Sequence, residues 1–577
     1  MATATFVGTT GNIFKQNRAG IHLHGGLTPW ISDGTPHQWT TPAGETTPYP
    51  EGVSVRHVPD MPDPGPGAMT LFYSNQQSAR LMFYHDHAYG ITRLNVYAGE
   101  AAGYLLQDPA EQQLIASGIL PADQIPLIIQ DKSFVPKPAQ LAAQDPTWDS
   151  VKYGGQGNLW LPHVYMPNQN PFDLAGANAM GRWDYGPWFW PPYTGLAHGP
   201  VANPYYTPGG TQPPQIPVTP NPSIVPEAFM DTAMVNGTAY PYLVVQPKAY
   251  RLRILNASND RFWNLSLYES KSNKCMWDPS TGTLLDADAG EVNMVPAVPN
   301  PAIPFPEDWV TATDGPGIKP DILDGRSMGL PDQRKLGPSW IQIGTEGGML
   351  PAPVVLDPKP TGYKYNLRNI VVLNVTKHSL YLGPAERADV IVDFSQYAGK
   401  TLILYNDAPA PVPAGDPRLD YYTGDLDQTA TGGAPTTLPG YGPNTRTIMQ
   451  IRVGLYGAFL PLILKPSRLF LPLIEHDLTG LGFTVEGAGD NTAPAATIAG
   501  TPPGFGSCAY AISPLGAGTP YNLTALNAAF ASTSTKQGIF AATQDPIIVP
   551  QADYNSAYNA NYPADAFVRI QDTTANS

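Results

Sequence analysis

Proline and glycine break this chain so often that its secondary structure has little choice. Of 577 residues, 65 are Pro and 56 are Gly. Proline removes a backbone donor and glycine weakens a helix interior, so long helices are excluded and short strands joined by turns remain. A hydrophobic fraction of 42% supplies more than one core and argues against disorder. The expectation is a loop-rich, all-β protein. Charged residues are only 14%, with 32 Lys+Arg against 47 Asp+Glu and a net charge of −15. Without basic runs, that balance disfavours nucleic acid and anionic membrane surfaces as partners.

The longest apolar stretch, from Leu455 to Leu464, contains Pro461 and stops at Lys465, too short to span a bilayer. The opening MATATFVGTTGNIFKQ has neither a basic start nor an apolar segment, so no signal peptide is read and no cellular address follows. Two cysteines, Cys275 and Cys508, exclude a disulfide-rich scaffold and a multi-cysteine zinc or iron–sulfur site.

Residues 1–149 carry short apolar or alternating runs such as AGIHLHGG and ARLMFYHDHAYG, which read as strands. PAEQQLIASG at 109–118 has a helical pattern, and IPLIIQDKSF at 125–134 reads as a strand leading outward. A connector over 150–230, rich in Pro and aromatics, includes RWDYGPWFWPPY at 182–193, which is expected to pack over a domain junction or line a substrate entrance. A second strand-rich unit over 231–455 is interrupted by a Pro/Asp/Gly-rich insertion at about 271–338, and an Ala/Thr/Gly-rich stretch follows over 456–577. Turn spacing in the second unit suits a β-sandwich.

Four of ten histidines fall in two His-x-His pairs, His22 with His24 and His85 with His87. A strand repeats every two residues, so each pair projects both imidazoles from one face while Leu23 or Asp86 points the other way. Imidazole suits copper, zinc, iron and nickel, and four without nearby thiolates favour copper or zinc over calcium or magnesium. One such pair is more often structural. Two, each followed by small residues, point to a metal.

IHLHGGLTPWISDGTPHQW at 21–39, MFYHDHAYGITRLNVYAGEAAGYLLQDP at 82–109, WIQIGTEGGMLPAPV at 340–354 and LYLGPAERADVIVDF at 380–394 resemble the multicopper oxidases, in the branch of spore-coat laccase, bilirubin oxidase and phenoxazinone synthase. The resemblance implies cupredoxin-like Greek-key β-sandwich domains with long insertions. It implies a type 1 copper that takes electrons from a small reducing substrate, and a trinuclear cluster that reduces dioxygen to water. Carried over by position, His22 would ligate the type 2 copper, and His24, His85 and His87 the type 3 pair. Asp33 matches an acid that manages protons near the cluster; read by itself it is a turn residue before Gly34. By the same resemblance the setting would be extracellular, cell-surface or spore-coat.

The sequence departs from the family where the type 1 ligands should be. Neither a His-Pro-x-His-x-His nor a His-Cys-His motif occurs, and neither cysteine has a histidine beside it. The expectation is a fragment whose first domain lacks its opening strands and whose third is barely begun. The rival reading is a copper- or zinc-binding module without oxidase activity, or a subunit whose partner chain or C-terminal domain supplies the type 1 site. His37 and His57 lie near the paired motifs and are candidates to hydrogen-bond the ligands; His163, His198, His378 and His476 read as structural. Glu386 and Arg387 read as a turn with an ion pair.

Overall fold

The computed structural model describes nearly all of residues 17–160, 230–274, 286–299, 330–363, 375–408, 446–454 and 517–533. The aromatic run at 182–193, most of the insertion at 271–338, nearly all of 456–577, Cys275, Cys508, His163, His198 and His476 lie outside the described residues. Within them the architecture is mostly β.

Three antiparallel strands, β1 (Ile21–His24), β2 (Arg80–Asp86) and β3 (Ala101–Leu106), form a small sheet in that order. Alternation gives it two faces. Leu23, Met82 and Leu106 pack with Tyr73, Tyr84 and Tyr104 on one. On the other, Leu81 and Phe83 pack against Leu255 and Ala257 of the following unit. Helix α1 (Thr92–Ala98) follows β2 and stops at Gly99, whose φ of 122° lies outside the helical range. Helix α2 (Pro109–Ala116) lies within the predicted 109–118. The Asp108 side chain accepts from the Glu111 amide at 2.7 Å, and Pro109 occupies the first turn, where its missing donor costs nothing.

The strand predicted at 125–134 is β4 (Gln124–Lys132), and it is paired on both sides within the sandwich. It runs parallel to β8 (Ala249–Asn256) in a seven-stranded sheet. The other members are β5 (Thr232–Val235), β6 (Thr238–Ala239), β10 (Trp340–Thr345), β11 (Gly348–Leu356) and β13 (Arg387–Asp393), in the order β6-β5-β4-β8-β13-β10-β11. A five-stranded sheet faces it, formed by β7 (Tyr242–Val245), β9 (Trp263–Glu269), β12 (Leu380–Leu382), β14 (Thr401–Asn406) and β15 (Thr447–Val453), in the order β7-β15-β14-β9-β12. The chain crosses repeatedly between the two sheets, as Greek-key sandwiches do. Their inner faces supply one core of fully buried side chains, among them Leu252, Ile254, Trp263, Leu265, Val390, Leu404 and Ile451.

On the outer side, α2 is held by charge. Glu111 is fully buried and accepts from Arg251 Nη1 at 2.6 Å and also from Arg253, while Asp389 takes Arg251 Nε at 2.7 Å. Buried charges persist only when paired in this way. Helix α3 (Leu523–Phe530) covers Leu120, Ile341, Ile343 and Ile391 with Leu526 and Phe530, and its Asn522 cap accepts from the Ala525 amide at 2.9 Å. Among the described residues no helix is long and apolar enough to cross a membrane.

Candidate metal centre

The register of β1 on β2 builds the site. His22 lies directly opposite His85, and His24 directly opposite Phe83. Since side chains alternate, these four rings share one face with Leu81. β2 ends at Asp86, but the His87 amide donates to the Gly20 carbonyl at 2.6 Å and brings the fourth imidazole alongside. The His22 ring centroid lies 5.8 Å from that of His24, 5.4 Å from His85 and 5.0 Å from His87. One nitrogen from each of His22, His24 and His85 falls within 4.8 Å of the others. His87 flanks this group, 5.8 Å from His85 between centroids.

Asp86 secures the framework from behind. Its side chain is fully buried and accepts from the amides of Gly20 at 2.8 Å and Ala88 at 3.1 Å, so it ties the approach to β1 to the segment carrying His87. Gly34, at φ 66°, passes so close to β1 that a Cβ there would stand 2.0 Å from the Ile21 carbonyl oxygen. Only glycine permits that approach.

The ring orientations are set by acceptors. His22 Nδ1 donates to the Asp33 carbonyl at 2.6 Å, and His85 Nδ1 to the Asp86 carbonyl at 2.7 Å. A carbonyl only accepts, so in both rings Nδ1 carries the proton and Nε2 keeps its lone pair. His85 Nε2 lies 3.3 Å from His24 Nδ1. Among the described residues, the Nδ1 of His87 is buried without a hydrogen-bonding partner.

Burial lowers the basicity of most of the cluster. His24 is pulled down to about 4 by desolvation, with the Arg387 charge and the neighbouring imidazoles adding to it. His85 and His87 are lowered by desolvation first and by His22 second. His22 is the exception. Desolvation acts against its charge, yet the side-chain and backbone hydrogen bonds to Asp33 outweigh it and raise its pKa. The Asp33 carboxylate lies 3.3 Å from His22 Nδ1 and accepts from the Thr28 hydroxyl at 2.8 Å. Burial pushes it up, and those two partners bring it below its ordinary value. Its side chain is 42% exposed, so it reaches water as well as the cluster.

The nearby candidates do something else. His57 is exposed and faces Asp63 at 2.9 Å, and His37 is exposed and stacks on Tyr89 with centroids 5.1 Å apart. His378 donates to the Ser379 carbonyl at 2.7 Å. The expected Glu386–Arg387 ion pair is corrected. Glu386 instead accepts from the Gly383 amide at 2.6 Å, while the Arg387 guanidinium donates to the carbonyls of Leu81 at 3.2 Å and Ala385 at 2.7 Å. The turn closes on Gly383, and the arginine is drawn to the small sheet.

A laccase of Bacillus subtilis strain 168 is 28% identical over 391 residues, covering 67% of this chain and 42% of that one. Bilirubin oxidase of Albifimbria verrucaria is 45% identical over 115 residues, 20% of this chain and 16% of that one. The chain is homologous to the multicopper oxidases. It spans less than half the length of the laccases it matches, 42% and 43%. No protein-family model matches it. Among solved structures, the McoA multicopper oxidase of Aquifex aeolicus is similar at 20% identity and a TM-score of 0.34, covering 76% of this chain and 50% of that chain.

Proposed function

We propose that this chain supplies part of the oxygen-reducing copper centre of a laccase-like multicopper oxidase, which oxidises phenolic or similar donors, or metal ions, in one-electron steps while dioxygen is reduced to water. The observation that carries the reading is the convergence of His22, His24 and His85 on one sheet face, with His87 beside them, in a chain similar to laccases. The relatives' names favour an oxidase over a metal-binding module without activity.

The donor set fits copper. It consists of neutral imidazole nitrogens, two with Nε2 freed by carbonyl-bound Nδ1 and one with a buried, unpartnered Nδ1. His22 would hold the type 2 ion, and His24, His85 and His87 the type 3 pair. Copper, when bound, supplies the one-electron chemistry.

The chain's own part is positional and protonic. Asp86 and Gly34 keep the two histidine segments at fixed spacing. The Asp33 carbonyl and carboxylate both face His22 Nδ1, orienting the ring. The half-exposed carboxylate lies between water and His22 Nδ1, where, kept ionised by its partners, it would pass protons toward the cluster rather than store them.

Copper uptake and oxygen consumption of the wild-type chain and of His85→Ala test the assignment. The variant should lose at least one equivalent of bound copper, and any oxygen consumption with it; unchanged stoichiometry and turnover would remove His85 from the ligand set. The copper-loaded chain should show no intense blue absorption, because neither cysteine has a histidine neighbour. A blue spectrum would overturn that reading of Cys275 and Cys508.

A further inference from the structure

Arg387 lies on β13 of the sandwich, 302 residues along the chain from His85, yet its side chain reaches the histidine sheet. It is buried, and its Nε donates to the Leu81 carbonyl at 3.2 Å, within β2 itself. Its guanidinium carbon stands 5.5 Å from the centre of the Phe83 ring, within cation–π range. The same ring also meets the cluster. Phe83 stacks on His24 at 4.6 Å between centroids and 21° between planes, and on His85 at 5.2 Å and 28°. It is therefore the one apolar ring among the four on this face, in contact with a cation and two imidazoles.

The local backbone makes room for the cation. Gly25 directly follows His24 at φ 81°, and a Cβ there would stand 2.7 Å from Arg387 Nη2. A side chain there would force the guanidinium to shift, and the positive φ itself favours glycine. Nη1 is fixed by the Ala385 carbonyl at 2.7 Å, and the Arg387 amide donates to Glu346 at 3.2 Å, so the side chain projects from an anchored turn.

We infer that Arg387 and Phe83 form a positioning stack through which the sandwich sets the ring planes of His24 and His85. The inference rests on the proposal that these histidines hold metal. With Phe83 held by the arginine, His24 and His85 cannot rotate without losing ring contact with it, so their nitrogens stay aimed at a common point. Hydrogen-bonding groups that orient metal ligands typically govern affinity by about 10- to 100-fold, and a stack that fixes the same ring planes is expected to act on that scale.

The test is a Co(II) titration of the full chain, followed by d–d absorption, with wild type, Arg387→Met, Arg387→Lys and Phe83→Leu compared below their unfolding temperatures. Arg387→Met keeps a stem of similar length and removes the cation and its donors. Phe83→Leu removes the ring and leaves the arginine, so it carries the test alone should Arg387→Met not fold. Binding should weaken about 10- to 100-fold in Arg387→Met and Phe83→Leu, with altered d–d bands, and Arg387→Lys should recover part of the loss. Wild-type affinity and spectrum in Phe83→Leu or Arg387→Met, with only a lower Tm, would make the stack a brace and overturn the inference. A wild-type chain that takes up no Co(II) would instead sink the metal reading itself, and the stack with it.

Discussion

The sandwich core and the histidine face use the same alternation to opposite ends. In the sandwich, inward residues such as Trp263, Leu265, Leu404 and Ile451 meet a second sheet and lose all contact with water. On the small sheet, the inward series of β2 runs Leu81, Phe83, His85, from full burial to half burial within one strand. Leu81 and Phe83 are claimed by the sandwich. His85 is not, and it meets His22 and His24 instead. A strand anchored at one end in an apolar core can present polar ligands at the other, because the core fixes the backbone while the ligands contribute little to stability.

That division makes stability and metal binding separable. The largest effect is expected in the core. Trp263→Ala removes a fully buried indole, and at about 3–5 kcal/mol for such truncations it should lower Tm sharply while leaving Co(II) stoichiometry intact at a temperature where it is folded. Loss of metal uptake by that folded variant would break the comparison. Asp86→Ala should do both kinds of damage, since it orphans the Gly20 and Ala88 amides. A cost of about 1–3 kcal/mol should come with weaker Co(II) binding, and a variant that lost stability alone would show that Asp86 serves the fold only.

Gly34→Ala should cost about 1–2 kcal/mol for the positive φ alone, before the encounter with the Ile21 carbonyl is counted. Thermal unfolding checks it, and a neutral result would mean that the turn relaxes away from β1. The smallest effect is electrostatic. In the metal-free chain His24 resists protonation until about pH 4, whereas the ordinary imidazole value is 6.5. The unfolded chain therefore binds a proton that the folded one refuses. Stability from this group is present above pH 6.5 and is lost as pH falls toward 4. His85 and His87 act in the same sense and His22 in the opposite one. Tm should decline across that window, and His24→Gln should flatten the decline; an unchanged slope would show that other groups carry it.

Much of the site is legible in the sequence. Two His-x-His pairs in strand-forming sequence require paired imidazoles, and Asp108 with Pro109 announces α2. The period-two pattern also puts Phe83 on the same face as His85, a signal present in the sequence but given no weight there. Arg387 carried no local signal at all. Its sequence neighbour Glu386 suggested an ion pair, whereas the structure turns the two side chains to different partners. His37 and His57 show the converse, since closeness in sequence to the motifs did not bring them to the ligands.

By itself the sequence determined which side chains could donate to a metal and that each His-x-His pair projects from one face of an extended strand, because alternation is a property of the backbone at each residue. Only the tertiary structure decided that His22 stands opposite His85, that one nitrogen from each of His22, His24 and His85 comes within 4.8 Å of the others while His87 flanks them, and that a guanidinium from the sandwich stands over Phe83. Register and inter-sheet contact depend on which surfaces bury each other and which carbonyls remain to be paired. Those are decisions made among residues far apart in the chain, and no local pattern contains them.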